Sequence, residues 1–269
     1  MAGKTAAFEK LSELVYSESG ILLDSSKESL VATRTRKRMS HLGIESLDGY
    51  FERIINDGTG MELIIFIDSI STNVTYFYRE DEHFKILDGI IRRFASAGQE
   101  QFRIWSAGCS SGEEVYTIAF TCLEALSECG AELKILGTDI STRILGKAHQ
   151  AMYDKKGVER VPDTLKMKYF DRLNCEGADY YRVKQNVKDY VMLKMLNLSA
   201  TPYPVKKGVD IIFCRNVMIY FDREMRKKIV DEYCRLLKPG GFLFVSQTES
   251  LLDIDIKLKN IGNSVYRKD

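Results

Sequence analysis

Paired cysteines, clustered histidines, long apolar runs and an overall charge are all missing from this 269-residue chain. Its six cysteines, at 109, 122, 129, 175, 214 and 234, include no C-x-x-C pair, and several lie inside apolar segments. That pattern points to reduced thiols and away from a disulfide framework. The three histidines (His41, His83, His149) stand far apart, which leaves no zinc constellation. No apolar run approaches the roughly 20 residues that span a bilayer, and Met1 to Lys10 has no signal-peptide core. A cytoplasmic protein without membrane insertion is expected. A formal charge of +1 supplies no general field for nucleic acid. Four prolines in all, with 45% apolar and 29% charged residues, exclude a disordered chain. The length suits one large domain, or a medium one with a small one attached.

What is present is organised around residues 104–120, IWSAGCSSGEEVYTIAF. β-Formers give way to small residues from Ser106 to Gly112, and a helical pattern begins at Glu113. Strand, small-residue turn and helix together let a ligand lie against backbone amides at a helix N-terminus. Gly108 and Gly112 are spaced G-x-x-x-G, so the dinucleotide fingerprint G-x-G-x-x-G is absent. Glu113 and Glu114 open the helix. Carboxylates suit the helix dipole but repel a phosphate. The turn therefore predicts a nucleotide-like ligand with an uncharged or cationic tail.

Ahead of that stretch, residues 1 to about 72 read only as helices, four in number, forming a small bundle. The second runs from a cap at Asp24 to Ser26 as far as His41, and the third starts at Ser46. The fourth, Met61 to Ile70, is almost wholly apolar and is expected to be buried. Lys27, Arg34 and Arg38 share one face of the second helix, which also carries Arg36 and Lys37. Such a face is either solvated or a docking surface for an acidic partner. The connecting TNVTYFYRE, Thr72 to Glu80, is too rich in β-branched and aromatic residues for a flexible hinge. From Phe102 the pattern alternates strand and helix, which predicts an α/β fold with a mostly parallel sheet covered on both faces. Val265 to Arg267 reads as a last edge strand, and Gly177 and Asn186 as turns.

In such a sheet the ligand sits beyond the C-terminal ends of the strands. Those ends carry Ser106 to Gly112, Asp139, Asn197, Cys214-Arg215-Asn216, and Gln247 to Glu249. Asp139 is either a turn residue or an acceptor for both hydroxyls of a ribose.

TNVTYFYRE, SAGCSSGEEVYTIA, ILGTDIS, MLNL, IFCRNVMIYFD and LLKPGGFLFVSQTES resemble, in order, the motifs of the CheR-type chemotaxis receptor methyltransferases. The resemblance runs from about residue 65 to the C-terminus, and the helices before it agree in kind. Tyr78 and Val74 stand where many members have Phe and Leu. The resemblance implies a class I, Rossmann-like methyltransferase domain over 73–269. A small all-α domain over 1–72 precedes it, and a β subdomain is inserted at about 170–194. It implies methyl transfer from S-adenosylmethionine to glutamate side chains of chemoreceptors, forming glutamyl methyl esters. Carried over by position, the cofactor contacts are Asn73, Thr75, Arg79, Glu114, Asp139, Asn197, Leu198, Arg215 and Asn216. Arg79 and Tyr220 stand near the transferred methyl and the substrate carboxylate, and Arg34 and Arg38 dock the substrate. The implied partner is the receptor's cytoplasmic helical bundle, with its C-terminal tail peptide left open, and a monomeric enzyme is expected. The rival expectations are the same fold acting on RNA or a small molecule, and an inactive cofactor-binding module.

Overall fold

The structure, a computed structural model, describes residues 5–71, 74–175 and 177–269. Four helices come first: α1 Ala6–Ser19, α2 Glu28–Leu42, α3 Leu47–Ile55 and α4 Met61–Ile70. Phe8, Leu11 and Val15 recur at three- and four-residue steps and are all buried, which makes one face of α1 the core face. Asp24 caps a single 3-10 turn, Ser25–Lys27, by accepting from Ser26 N at 2.8 Å, and α2 begins only after it. Ser46 caps α3 through Gly49 N. Phe8, Leu11, Tyr50 and Phe66 meet in a core that also receives Ile140, Tyr220 and Phe221 from the rest of the chain.

Helix α4 is buried as expected, but its two acids decide what it does. Glu62 and Asp68 are 2% and 8% exposed, and a buried carboxylate needs a cation or several donors. Glu62 finds Arg38 and the Tyr50 hydroxyl; Asp68 finds Ser141 and Arg143 in the following domain.

From residue 74 the chain packs against the second domain. Phe77 is fully buried among the rings of Phe120, Tyr153 and Phe170, so the connection is pinned into the second domain's core. Helix α5, Glu82–Ser96, follows. The sheet is then laid down by β1 Gln101–Ala107, α6 Glu113–Ala125, β2 Glu132–Asp139 and α7 Thr142–Gln150. An excursion through β3 Met152–Asp154, α8 Asp163–Tyr169, β4 Phe170–Cys175, β5 Ala178–Val183 and α9 Gln185–Lys188 comes next. The chain returns with β6 Val191–Met195, β7 Val209–Cys214, α10 Arg223–Leu236 and β8 Leu237–Val245. It closes with β9 Lys259–Asn260 and β10 Val265–Arg267.

The seven-stranded order is β6-β2-β1-β7-β8-β10-β9, with the first five strands parallel and the last two antiparallel to their neighbours. All six residues of β7 are buried, as a parallel strand covered on both faces requires. The sheet and its flanking helices have the mostly parallel α/β arrangement expected of a class I methyltransferase domain. Strand order reverses between β1 and β7, and the crevice opens beyond their C-terminal ends.

Three expectations need correction. The small antiparallel sheet is β3-β5-β4, so it starts at Met152, well before residue 170. Strand β6, which fell inside the expected 170–194 insertion, pairs in parallel with β2. Its Leu193 lies over Gly137, where an added Cβ would stand 2.7 Å from Leu193 Cδ2. Asn186 sits in the short helix α9, and Val265–Arg267 lies between β8 and β9, one place in from the edge.

Candidate active site

The turn after β1 is held by its neighbour. Gly108 N and Cys109 N both donate to Thr138 O, at 2.7 and 2.9 Å, so the chain folds back over the end of β2. Gly108 has φ +88°, and a Cβ there would stand 2.4 Å from Val217 Cγ2. Only glycine suits both the backbone angle and the close approach.

Beneath the turn lies a buried ion cluster. Arg215, its side chain 1% exposed, pairs with Glu80 at 3.3 Å and with Glu114 at 3.2 Å, and it also donates to the backbone carbonyl of Arg79. Ser106 Oγ donates to Glu114 Oε1 at 2.7 Å. Burial pushes the Glu114 carboxyl above the usual range, and Arg215 and Ser106 oppose that. Burial acts on Glu80 in the same direction, but the Ser246 hydroxyl and Arg215 outweigh it and hold Glu80 below its ordinary value. Asp139 caps β2 and accepts from Ser110 N at 2.9 Å and Ser141 N at 3.0 Å. Burial nonetheless raises it.

Arg215, Glu114 and Asp139 face one cavity of about 320 Å³. Thr75, Arg79, Glu114, Asp139, Asn197, Leu198, Arg215, Asn216 and Tyr220 all line it, so the fold brings together every expected cofactor and catalytic position that it describes. Asn73, the remaining one, lies outside the described residues. The helical domain supplies part of the wall through Ser19, Ile21 and Lys27.

Asn197 is committed elsewhere by its side chain. Its Nδ2 donates to Glu18 O at 2.6 Å, and its Oδ1 accepts from Ser199. The amide thus ties α1 to the sheet domain.

Arg34 and Arg38 lie away from this cavity, and the structure corrects their placement on an open docking face. Arg34 Nη1 donates to Ile70 O at 2.8 Å and to Ser71 O at 3.0 Å. Arg38 makes a two-pronged contact with buried Glu62. The cause is Glu62 itself, whose charge demands a counter-charge from the nearest helix. The cations that α2 leaves exposed are Arg36 and Lys37.

Two acids, half-buried Glu80 and buried Glu249, were given no role among the expected site residues. Glu80 belongs to the TNVTYFYRE block and balances Arg215 from the opposite side to Glu114. Glu249 accepts from Asn216 N at 2.8 Å, Ser246 N at 3.0 Å and Ile219 N at 3.3 Å. It thereby fixes the turn that carries Arg215, Asn216 (φ +61°) and Tyr220. Both sit at segment ends already marked by sequence. Their signal was a carboxylate in a run otherwise built to be buried.

The donor set discriminates between ligands. Carboxylates at the first turn and at the end of β2 repel a phosphate and suit a cation and a pair of hydroxyls. The buried Ser110 hydroxyl on the cavity wall has no partner among the described residues. The residues present fit S-adenosylmethionine.

Comparison with known proteins decides the family. Residues 6–71 match the all-alpha domain of CheR methyltransferase, and residues 73–267 match the CheR methyltransferase SAM binding domain. The chain belongs to the CheR methyltransferase family. The chemotaxis protein methyltransferase of Borreliella burgdorferi is 35% identical over 267 residues, covering 97% of this chain and 93% of the relative. That of Escherichia coli K12 is 34% identical over 266 residues, covering 99% and 92%. Chemotaxis protein methyltransferase 2 of Pseudomonas aeruginosa is 34% identical over 259 residues, covering 96% and 91%. This CheR-family chain is an S-adenosylmethionine-dependent methyltransferase. No helix among its described residues is long and apolar enough to cross a membrane.

Proposed function

We propose that this protein methylates glutamate side chains of chemoreceptors, forming glutamyl methyl esters in a chemotaxis pathway. The observation that carries the reading is the convergence of Arg79 and Tyr220 on the cavity that also holds Glu114 and Asp139. A cation and a phenol at one mouth, beside a cofactor site, suit a carboxylate acceptor. A glutamate titrates near 4.3 in water and is already a nucleophile at neutral pH, so no catalytic base is required. When bound, S-adenosylmethionine supplies an electrophilic methyl on a sulfonium. Transfer of that methyl to the carboxylate oxygen would break the sulfur–methyl bond and leave its electron pair on a neutral thioether.

The residues then have separable tasks. Glu114 faces the cationic methionyl end, Asp139 holds the ribose hydroxyls, and Arg215 opposes the effect of burial on Glu114. Asn73, Thr75, Asn197, Leu198 and Asn216 complete the cofactor wall. Arg79 holds one oxygen of the incoming carboxylate while the other is aligned on the methyl group, and Tyr220 donates to the same group. Too strong a grip would stabilise the ground state, and a single guanidinium at a half-open mouth avoids that.

The relatives named above carry chemotaxis in their names, which supports a receptor as acceptor over RNA or a small molecule. The test is incubation with methyl-labelled S-adenosylmethionine and receptor-containing membranes. Base-labile label on the receptor is expected. Label confined to RNA or to small molecules, or none at all, would refute the reading.

A further inference from the structure

Tyr76 carries two guanidinium groups at the rim of the cavity. Arg160 Cζ lies 4.2 Å from the centre of the Tyr76 ring, and Arg79 Cζ lies 5.8 Å from it. Arg79 spends one nitrogen on Val74 O at 2.7 Å. Arg160 is exposed, on the loop between β3 and α8. Among the described residues neither guanidinium is ion-paired with a carboxylate. The acids nearest Arg160 in sequence, Glu159 and Asp163, leave it unpaired, and Asp163 accepts from Lys166 Nζ at 3.0 Å instead.

An aromatic face compensates part of the charge of a guanidinium, but it does not remove the repulsion between two of them. That repulsion falls when an anion enters. Tyr76 and Arg79 line the cavity, whereas Arg160 does not. Arg160, exposed and outside the cavity wall, is open to what extends beyond the cofactor site. It also comes from a different part of the chain, so the two cations present a pair of anion sites side by side.

We infer that Arg160 binds a second carboxylate of the protein substrate, next to the glutamate that Arg79 receives. The enzyme thereby selects an acidic stretch over an isolated glutamate. This rests on the function proposed above and adds a specificity determinant to it.

The test uses the full-length wild type, Arg160→Gln and Arg160→Lys, with labelled S-adenosylmethionine and receptor-containing membranes over a range of salt. Arg160→Gln should raise the receptor KM about two- to fivefold, the scale of one exposed charge contact. It should also flatten the rise of KM with salt, because one screened attraction is gone. Turnover at saturating receptor and the cofactor Kd should stay at wild-type values, and Arg160→Lys should recover most of the KM. An unchanged KM and salt slope in Arg160→Gln would overturn the inference. So would a weakened cofactor Kd, which would make Arg160 a cofactor contact or a packing residue. If the wild type fails to label receptors, the proposed function and this inference fall together. Wild-type labelling with an unaffected variant removes only the inference.

Discussion

Ser141 Oγ donates to Asp68 Oδ1 at 2.5 Å, across the boundary between the helical domain and the sheet domain. The same hydroxyl accepts from Ile144 N and caps α7, while Ser141 N donates to Asp139. One serine thus connects α4, α7 and the carboxylate at the end of β2. Arg143, on the first turn of α7, adds an ion pair to Asp68.

Loss of Asp68 should therefore loosen the seam without emptying the site. Asp68→Ala removes the acceptor but leaves Ser141 able to cap α7. A loss of about 1–2 kcal/mol is expected, or about 3–6 °C in thermal midpoint. Cofactor affinity should fall less than it does when Asp139 is removed. A midpoint within 1 °C of wild type, roughly the noise of such a scan, would show that the contact contributes no net stability.

Asp139→Ala should weaken S-adenosylmethionine binding by about tenfold or more, because a charged acceptor for two hydroxyls is lost. Calorimetric titration of the folded variant is the measurement. Affinity equal to wild type would take Asp139 out of the site.

Tyr220→Phe is the cleanest test of the chemical step. The Tyr220 carbonyl, which accepts from Leu22 N at 2.8 Å, is untouched by this change, and so is the ring that packs on the helical core. Single-turnover methyl transfer should slow by about tenfold or more, with cofactor Kd nearly unchanged. A rate equal to wild type at saturating receptor and cofactor would make Tyr220 a packing residue.

Much of this site was legible in sequence because its residues lie at strand ends, and strand ends can be read from apolar runs. Asp139, Arg215 and Asn216 each follow a run of that kind, and the cavity collects them where the sheet topology requires. Partners were harder to see. Arg34 and Arg38 have the spacing of an exposed cationic stripe, yet Glu62 and the end of α4 claim both guanidiniums. The warning lay in α4, where two acids stand in an apolar run that could only be buried. The extent of the small sheet was also hidden. Met152–Asp154 is too short to signal a strand by itself and becomes one only by pairing with β5.

The Arg38–Glu62 pair makes a stability prediction with a definite sign in pH. The Arg38 hydrogen bonds hold the Glu62 carboxyl below its ordinary range, against burial, with Tyr50 assisting. Between the folded and the ordinary value, the unfolded chain binds the proton and the folded chain does not. The stability from this group is therefore complete above the ordinary carboxylate range and is lost as pH falls below it, through the lowered folded value. Arg38→Met should cost about 3 kcal/mol at neutral pH by leaving a buried charge with one donor fewer. The variant should also lose less stability than wild type on acidification. Urea denaturation at neutral and mildly acidic pH reads both effects. A variant as stable as wild type at neutral pH would return Arg38 to the open face.

The cavity wall is assembled from opposite ends of the chain. Ser19, Ile21 and Lys27 belong to the first thirty residues, and Arg215 to Phe221 come nearly two hundred positions later. A nascent or partly unfolded chain thus has no binding site to offer, even with the helical bundle complete. S-adenosylmethionine can bind only after the turn beyond β7 has closed onto the first helices. Its entire binding free energy then counts toward holding the chain ends together. Raising its concentration to a hundred times Kd should stabilise the whole molecule by about 2.7 kcal/mol. Availability of the methyl donor thus shifts, by mass action, the fraction of the enzyme that is folded.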